Sequence, residues 1–153
     1  MVLKHSKVPF GTWKETVYTK VSMNTSLTII TLYTKPIPVN QRTMICRGHQ
    51  TSSLKWKQTK VSLSYEVLNA WKEPRLTESV EVYIVQYFGD KRKRDIDAYI
   101  KILLDSMSGI VYDDDSQIMK MTVLKLYDKD NPRTEIICQK YDKRGTENIE
   151  EYP

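Results

Sequence analysis

Ile96, Ile100, Leu103, Leu104 and Met107 recur at the spacing of one helix face, and Gly109 follows where a left-handed terminal residue belongs. A helix marked this clearly must bury that face, and the flanking residues indicate on what. Before it, Val80 to Phe88 is a run of β-branched and aromatic residues ended by Gly89-Asp90. After it, Ile110-Val111-Tyr112 reads as short and extended, the triple Asp as a turn, and Ile118 to Tyr127 as a strand. Asn131-Pro132 makes a turn, and Thr134 to Gln139 a last strand. Upstream, Ser26 to Tyr33 reads as a strand stopped by Lys35-Pro36-Ile37-Pro38, because proline cannot donate to a ladder. A polar loop to about Gln50 leads to Ser52 or Ser53 as helix N-cap. Leu54, Val61, Tyr65 and Leu68 then recur at helical spacing, predicting a helix to about Trp71 with Pro74 just beyond. This order predicts one α+β domain over residues 26–142, a small mixed or antiparallel sheet packed with two main helices. Residues 1–25 are expected to be a weakly structured extension and 143–153 a polar tail.

Composition narrows the function. No run approaches the roughly 18 apolar residues of a membrane span, and the first twenty-odd residues lack a signal-peptide pattern. Cys46 and Cys138 are far apart and form no zinc pattern, so they read as free thiols of a cytoplasmic protein. There is no phosphate-cradling glycine loop, and the only histidines, His5 and His49, have no metalloprotease spacing. The net charge of +5 is unevenly spread. From Thr16 to Tyr65 there is no Asp or Glu, while Arg42, Arg47, Lys55, Lys57 and Lys60 fall there. Six acids crowd the stretch from Asp95 to Asp115. Such a pattern suits a polyanion held on one surface and a cation held at one point.

The acids lie in an informative place. Residues two apart point the same way in extended chain but about 200° apart on a helix. Asp95 and Asp97 therefore converge only where strand hands over to helix, which is where the pattern puts them. Lys101 follows one turn later, and Asp113-Asp114-Asp115 after the helix. A purely structural reading is also open: Asp95 as N-cap, Asp97 as a first-turn acid, Lys101 pairing with Asp97 and Asp105. It leaves the triple Asp unexplained. Carboxylates about 4 Å apart repel by roughly 4 kcal/mol at an effective dielectric of 20, so a cluster calls for a cation, and an all-oxygen site suits magnesium or manganese. The adjoining run Lys91-Arg92-Lys93-Arg94 would bring phosphates to it.

The stretch Lys93-Arg-Asp-Ile-Asp-Ala-Tyr-Ile-Lys101, followed by Leu-Leu-Asp-Ser-Met-Ser-Gly-Ile-Val-Tyr and Asp114-Asp115-Ser116-Gln117-Ile118, resembles the signature of RusA-type Holliday junction resolvases. The similarity runs on through Lys125 and Pro132-Arg133-Thr134-Glu135-Ile136, and Pro38-Val39-Asn40 is similar to the family's turn after its first strand. The resemblance implies a homodimeric endonuclease that cuts four-way DNA junctions by paired nicks with magnesium or manganese, in recombination and repair. It implies Asp95, Asp97 and Asp115 as essential metal-binding acids, Lys101 as catalytic assistant and Asp114 as an adjoining acid of the metal site. Ala98 departs from the asparagine usual there. Phosphate contacts are expected from Lys91, Arg92, Lys93, Arg94, Asn40, Arg42, Arg47, Lys55, Lys57 and Lys60. A closed two-fold dimer matches the approximate two-fold symmetry of a junction. Two other readings remain open at this point: a non-catalytic DNA-binding module, and a nuclease for flaps, forks or RNA.

Overall fold

The structure, a computed structural model, describes residues 28–142. The expected extension over 1–25, Ser26 and Leu27 at the start of the expected first strand, and the expected tail over 143–153 lie outside the described residues. The strands are β1 (Ile29–Leu32), β2 (Thr43–Cys46), β3 (His49–Ser52), β4 (Val80–Phe88), β5 (Ile118–Tyr127) and β6 (Arg133–Lys140). The helices are α1 (Leu54–Ala70) and α2 (Ile100–Met107). Four strands form a mixed sheet in the order β1-β6-β4-β5. β4 and β5 are parallel, as a crossover through α2 permits, while β6 runs antiparallel to β4 and β1. The expected α+β domain with a mixed sheet and two main helices is what the chain forms.

The core explains why. Val80, Val82 and Ile84 alternate along β4 and meet Ile136 and Cys138 of β6 and Ile30 and Leu32 of β1. Trp56, Leu63 and Val67 of α1 and Ile102, Leu103 and Met107 of α2 close over them. Each such side chain contributes about 1.5–3 kcal/mol on burial. Glu66 fastens α1 to the end of β1, accepting from the backbone of Tyr33 (2.6 Å) and Thr34 (3.0 Å). Burial pushes the Cys138 thiol up to about 12, whereas Cys46 is exposed, and both are free.

Four local expectations need correction. The stretch read as a polar loop to Gln50 contains the hairpin β2–β3. The marked helix begins at Ile100, not beside Asp95, and Ile96 is exposed. Leu54, Val61, Tyr65 and Leu68 do lie on one side of α1, but that side faces solvent, and the buried stripe is opposite. Of Ile110-Val111-Tyr112, read as extended, Ile110 and Val111 form a turn, with Val111 N–H on the Met107 carbonyl (2.9 Å), and Tyr112 alone makes isolated bridges, to Leu76 and Ser108. Gly109 takes the left-handed conformation expected of it, φ +79°.

Candidate active site

β4 ends at Phe88, and residues 89–99 cross to α2 with little regular structure, so side chains must fix their path. Asp90 does this first. It takes Arg94 in a two-pronged bond (2.6 and 2.8 Å) and the Arg92 N–H (3.0 Å). The hydrogen bonds from Arg94 and from the Arg92 amide hold the Asp90 carboxyl well below its usual range. Arg94 also lies 4.8 Å from the Phe88 ring, and only 11% of its side chain is exposed. The guanidinium expected to meet phosphate is thus engaged in bracing the loop. Lys91, Arg92 and Lys93 remain exposed.

Asp95 and Asp97 come next, both exposed. Neither caps α2: its N-cap is Tyr99, with no side-chain cap, and Ile100 N–H bonds the backbone carbonyl of Asp97. Neither carboxylate has a hydrogen bond or ion pair among the described residues. Their backbone, in contrast, is held tightly. Gln86 of β4 and Lys125 of β5 are register partners and reach the same short segment. Lys125 Nζ donates to the carbonyl of Arg94 (2.6 Å), just before Asp95, and Gln86 Nε2 to that of Ile96 (3.3 Å), just after it. Val39 N–H adds a bond to the Ala98 carbonyl (2.8 Å). The turn at Pro38-Val39-Asn40 therefore braces the loop through backbone at the residue where an asparagine side chain is missing. The backbone of both acids is thus fixed by the fold, while their exposed carboxylates are left to solvent.

The triple Asp divides its work. Asp113 pairs with Arg75 (2.8 Å). Asp114 caps a 3-10 turn over Asp115–Gln117, accepting from Ser116 N–H (3.0 Å), and that bond holds its carboxyl below the usual range. Gln117 closes the box, accepting from the Asp113 and Asp114 amides and donating to the Leu76 and Glu78 carbonyls. Asp115, fixed by this turn, reaches Lys101 near the start of α2 (2.7 Å), and Lys101 also pairs with Asp105 (2.9 Å). The bonds from Asp115 and Asp105 raise the Lys101 ammonium above its ordinary value, so it stays charged. The structure thus brings Lys101, Asp105 and Asp115 together, with Lys101 four residues beyond Asp97. Asp97 does not pair with Lys101.

Among the other expected phosphate contacts, Asn40, Arg42, Arg47, Lys55 and Lys57 are exposed and Lys60 is half-buried. Gln86 was given no role on sequence grounds, whereas the Lys101–Asp105 pair of the structural reading is present (2.9 Å) and Gln117 was read only as part of the resemblance. The capping role of Gln117 also had a signal, its place three residues after Asp114 as in a capping box.

The donor set is entirely carboxylate oxygen, which suits a hard divalent cation. As it stands, no three acidic, histidine or cysteine side chains among the described residues are gathered closely enough to hold one ion. The Lys101 ammonium is the cation that Asp115 meets. The family model of Endodeoxyribonuclease RusA matches residues 13–139, most of the chain. No curated protein matches it. Proteins of that family are divalent-metal-dependent endonucleases that act on branched DNA. No described helix is long and apolar enough to cross a membrane. The acidic loop, the Lys101–Asp115 pair and a family match over most of its length make this chain a member of the RusA family, an endodeoxyribonuclease that resolves Holliday junctions.

Proposed function

We propose that Asp95, Asp97 and Asp115 hold the divalent ion of this nuclease, that the ion is magnesium or manganese, and that Lys101 assists the reaction. The observation that carries this reading is the pair of exposed, partnerless carboxylates on Asp95 and Asp97, in a backbone braced on both sides. A bound ion would supply charge at the scissile phosphate and a more acidic water. Lys101 offers a permanent positive charge to the phosphate oxygens. Asp114 sets the position of Asp115 through the turn it caps. Lys91, Arg92 and Lys93, with Asn40, Arg42, Arg47, Lys55, Lys57 and Lys60, track the phosphate backbone. The test is a labelled four-way junction incubated with magnesium, manganese, calcium or chelator, beside linear duplex, flap, fork and RNA substrates. Paired nicks in the junction with magnesium or manganese are expected. Cleavage undiminished by chelator would overturn the assignment.

The active form is a homodimer formed through β5. This strand pairs with β4 and, among the described residues, with no strand on its outer side. It exposes Met119, Met121, Leu124, Leu126 and Tyr127. A long apolar edge is a hazard unless covered, and its unpaired backbone groups call for another strand. A two-fold axis normal to the sheet would set β5 antiparallel to its copy and place both acidic loops on one face. Replacing Met121 and Leu124 together by Lys sets like charges across that axis. The expected result is a halved mass by light scattering and single rather than paired nicks. An unchanged mass would rule out this interface. The two free cysteines support action in a reducing compartment, the cytoplasm.

A further inference from the structure

The hairpin β2–β3 serves neither the core nor the carboxylate loop. Every residue from Gln41 to Thr51 is exposed. A lone hairpin is marginal in water, and among the described residues the hydrogen bonds that fasten this one lie at its base. Ser53 N–H meets the Arg42 carbonyl (2.8 Å), Ser53 Oγ the Gln41 carbonyl (2.6 Å), and Lys55 Nζ the Gln41 side chain (3.1 Å). The base adjoins the acidic loop, because Val39 N–H binds the Ala98 carbonyl one residue beyond Asp97. The tip is a two-residue turn, Arg47 at φ +49° and Gly48 at φ +79°, with both residues left-handed as hairpin twist prefers. Asparagine, aspartate or glycine ordinarily stands at the first position. An arginine held there against its backbone preference puts charge at the exposed tip of the hairpin. Behind it, Ile45 is 79% exposed and Met44 47%. Adjacent residues of a strand point to opposite faces, so the ribbon carries an apolar side chain on each.

We infer that this hairpin is a wedge that enters the branch point of the DNA, Met44 and Ile45 lying against base-pair faces and Arg42 and Arg47 on the flanking phosphates. Three observations carry it. A two-stranded ribbon has the width to enter a groove. Isoleucine and methionine are among the side chains that proteins insert between base steps, at the cost of unstacking them. At a four-way branch the stacks are already interrupted, so that cost falls and the insertion discriminates branched from linear DNA. Charge selects DNA over a protein partner, since no acid occurs between Thr16 and Tyr65 to offset the two arginines. The inference rests on branched DNA as the substrate and adds how the branch is read.

The experiment uses the full chain without magnesium, so that nothing is cut. A junction carrying 2-aminopurine at the branch, and a linear duplex with the same label, are titrated with wild-type protein and with a variant carrying Met44→Ser and Ile45→Ser. Both positions are exposed, and a matching circular dichroism spectrum confirms the variant's fold. Wild type is expected to raise the junction fluorescence, and junction DNA to protect the nearby Cys46 from alkylation. The variant is expected to lose the fluorescence rise and about tenfold in junction affinity, with duplex affinity changed less than about twofold. A variant that keeps the full signal and preference overturns the wedge while leaving the nuclease reading intact. A wild type with no preference for the junction overturns both. A variant whose mass changes in solution overturns it too, by making the hairpin a subunit contact.

Discussion

Asp97→Asn is expected to slow junction cleavage by about a hundredfold or more, while the uncut junction is bound at least as tightly as by the wild type. The substitution keeps the shape of the side chain and removes its charge. Nothing in the fold depends on that charge. The Asp97 carboxylate has no partner among the described residues, and the bond that starts α2 comes from its backbone carbonyl. Stability should therefore change by less than about 0.5 kcal/mol, as at an ordinary exposed site. Binding should not weaken, because one negative charge beside the phosphates is gone. Single-turnover cleavage, set beside gel-shift affinity in the absence of metal, separates the two effects. Asp105→Asn is the matched control: its carboxylate pairs with Lys101 on the helix, and a loss of no more than about tenfold is expected from weakening that one support. Cleavage by Asp97→Asn at the wild-type rate would remove Asp97 from the site.

What could be read from the chain depended on whether local chemistry alone decided the outcome. β4 was legible because seven of its nine residues are β-branched or aromatic, and its bounds agree with those read from the sequence. The start of α1 was legible because Ser53 caps it, accepting from Trp56 N–H (3.1 Å). The hairpin was not, because its turn carries Arg47-Gly48 rather than Asn-Gly or Asp-Gly, and its strands bury nothing that would enforce alternation. On α1 the chain offers two opposed apolar stripes. Leu54-Val61-Tyr65-Leu68 satisfies helical spacing as well as Trp56-Leu63-Val67, and only the position of the sheet decides which is buried. Ile96 shares the period of α2 but lies before it. The Gln86 and Lys125 bonds belong to the loop, so a helix started at Ile96 missed the irregular run of bends and turns that presents Asp95 and Asp97. The acids were visible as residues, whereas their support comes from strands 9 and 28 positions away, at Gln86 and Lys125, counting from Asp95 back and from Asp97 forward.

That support leads to the second large effect. Gln86→Met is expected to lower the cleavage rate about ten- to a hundredfold and yet to leave the protein as stable as before, or slightly more so. Gln86 is 2% exposed. Its Nε2 holds the Ile96 carbonyl, but its Oε1 is buried without a hydrogen-bond partner. A buried acceptor left unpaired costs about 1–3 kcal/mol. Methionine has nearly the same length, brings no acceptor, and removes that cost. It also removes the donor that fixes the peptide between Asp95 and Asp97. The Ile96 carbonyl can turn toward solvent, so its loss of a partner is largely made good, and the loop is free to wander. The two carboxylates then spend less time in a common geometry. A positioning role of this kind lowers the rate and raises the metal concentration needed for half-maximal cleavage, with junction affinity in the absence of metal unchanged. A residue serving only the core would instead lower the melting temperature and leave the metal dependence alone. Rate, metal dependence and melting temperature measured on the same preparation distinguish the two. A fall in melting temperature with cleavage and metal dependence intact would return Gln86 to the core.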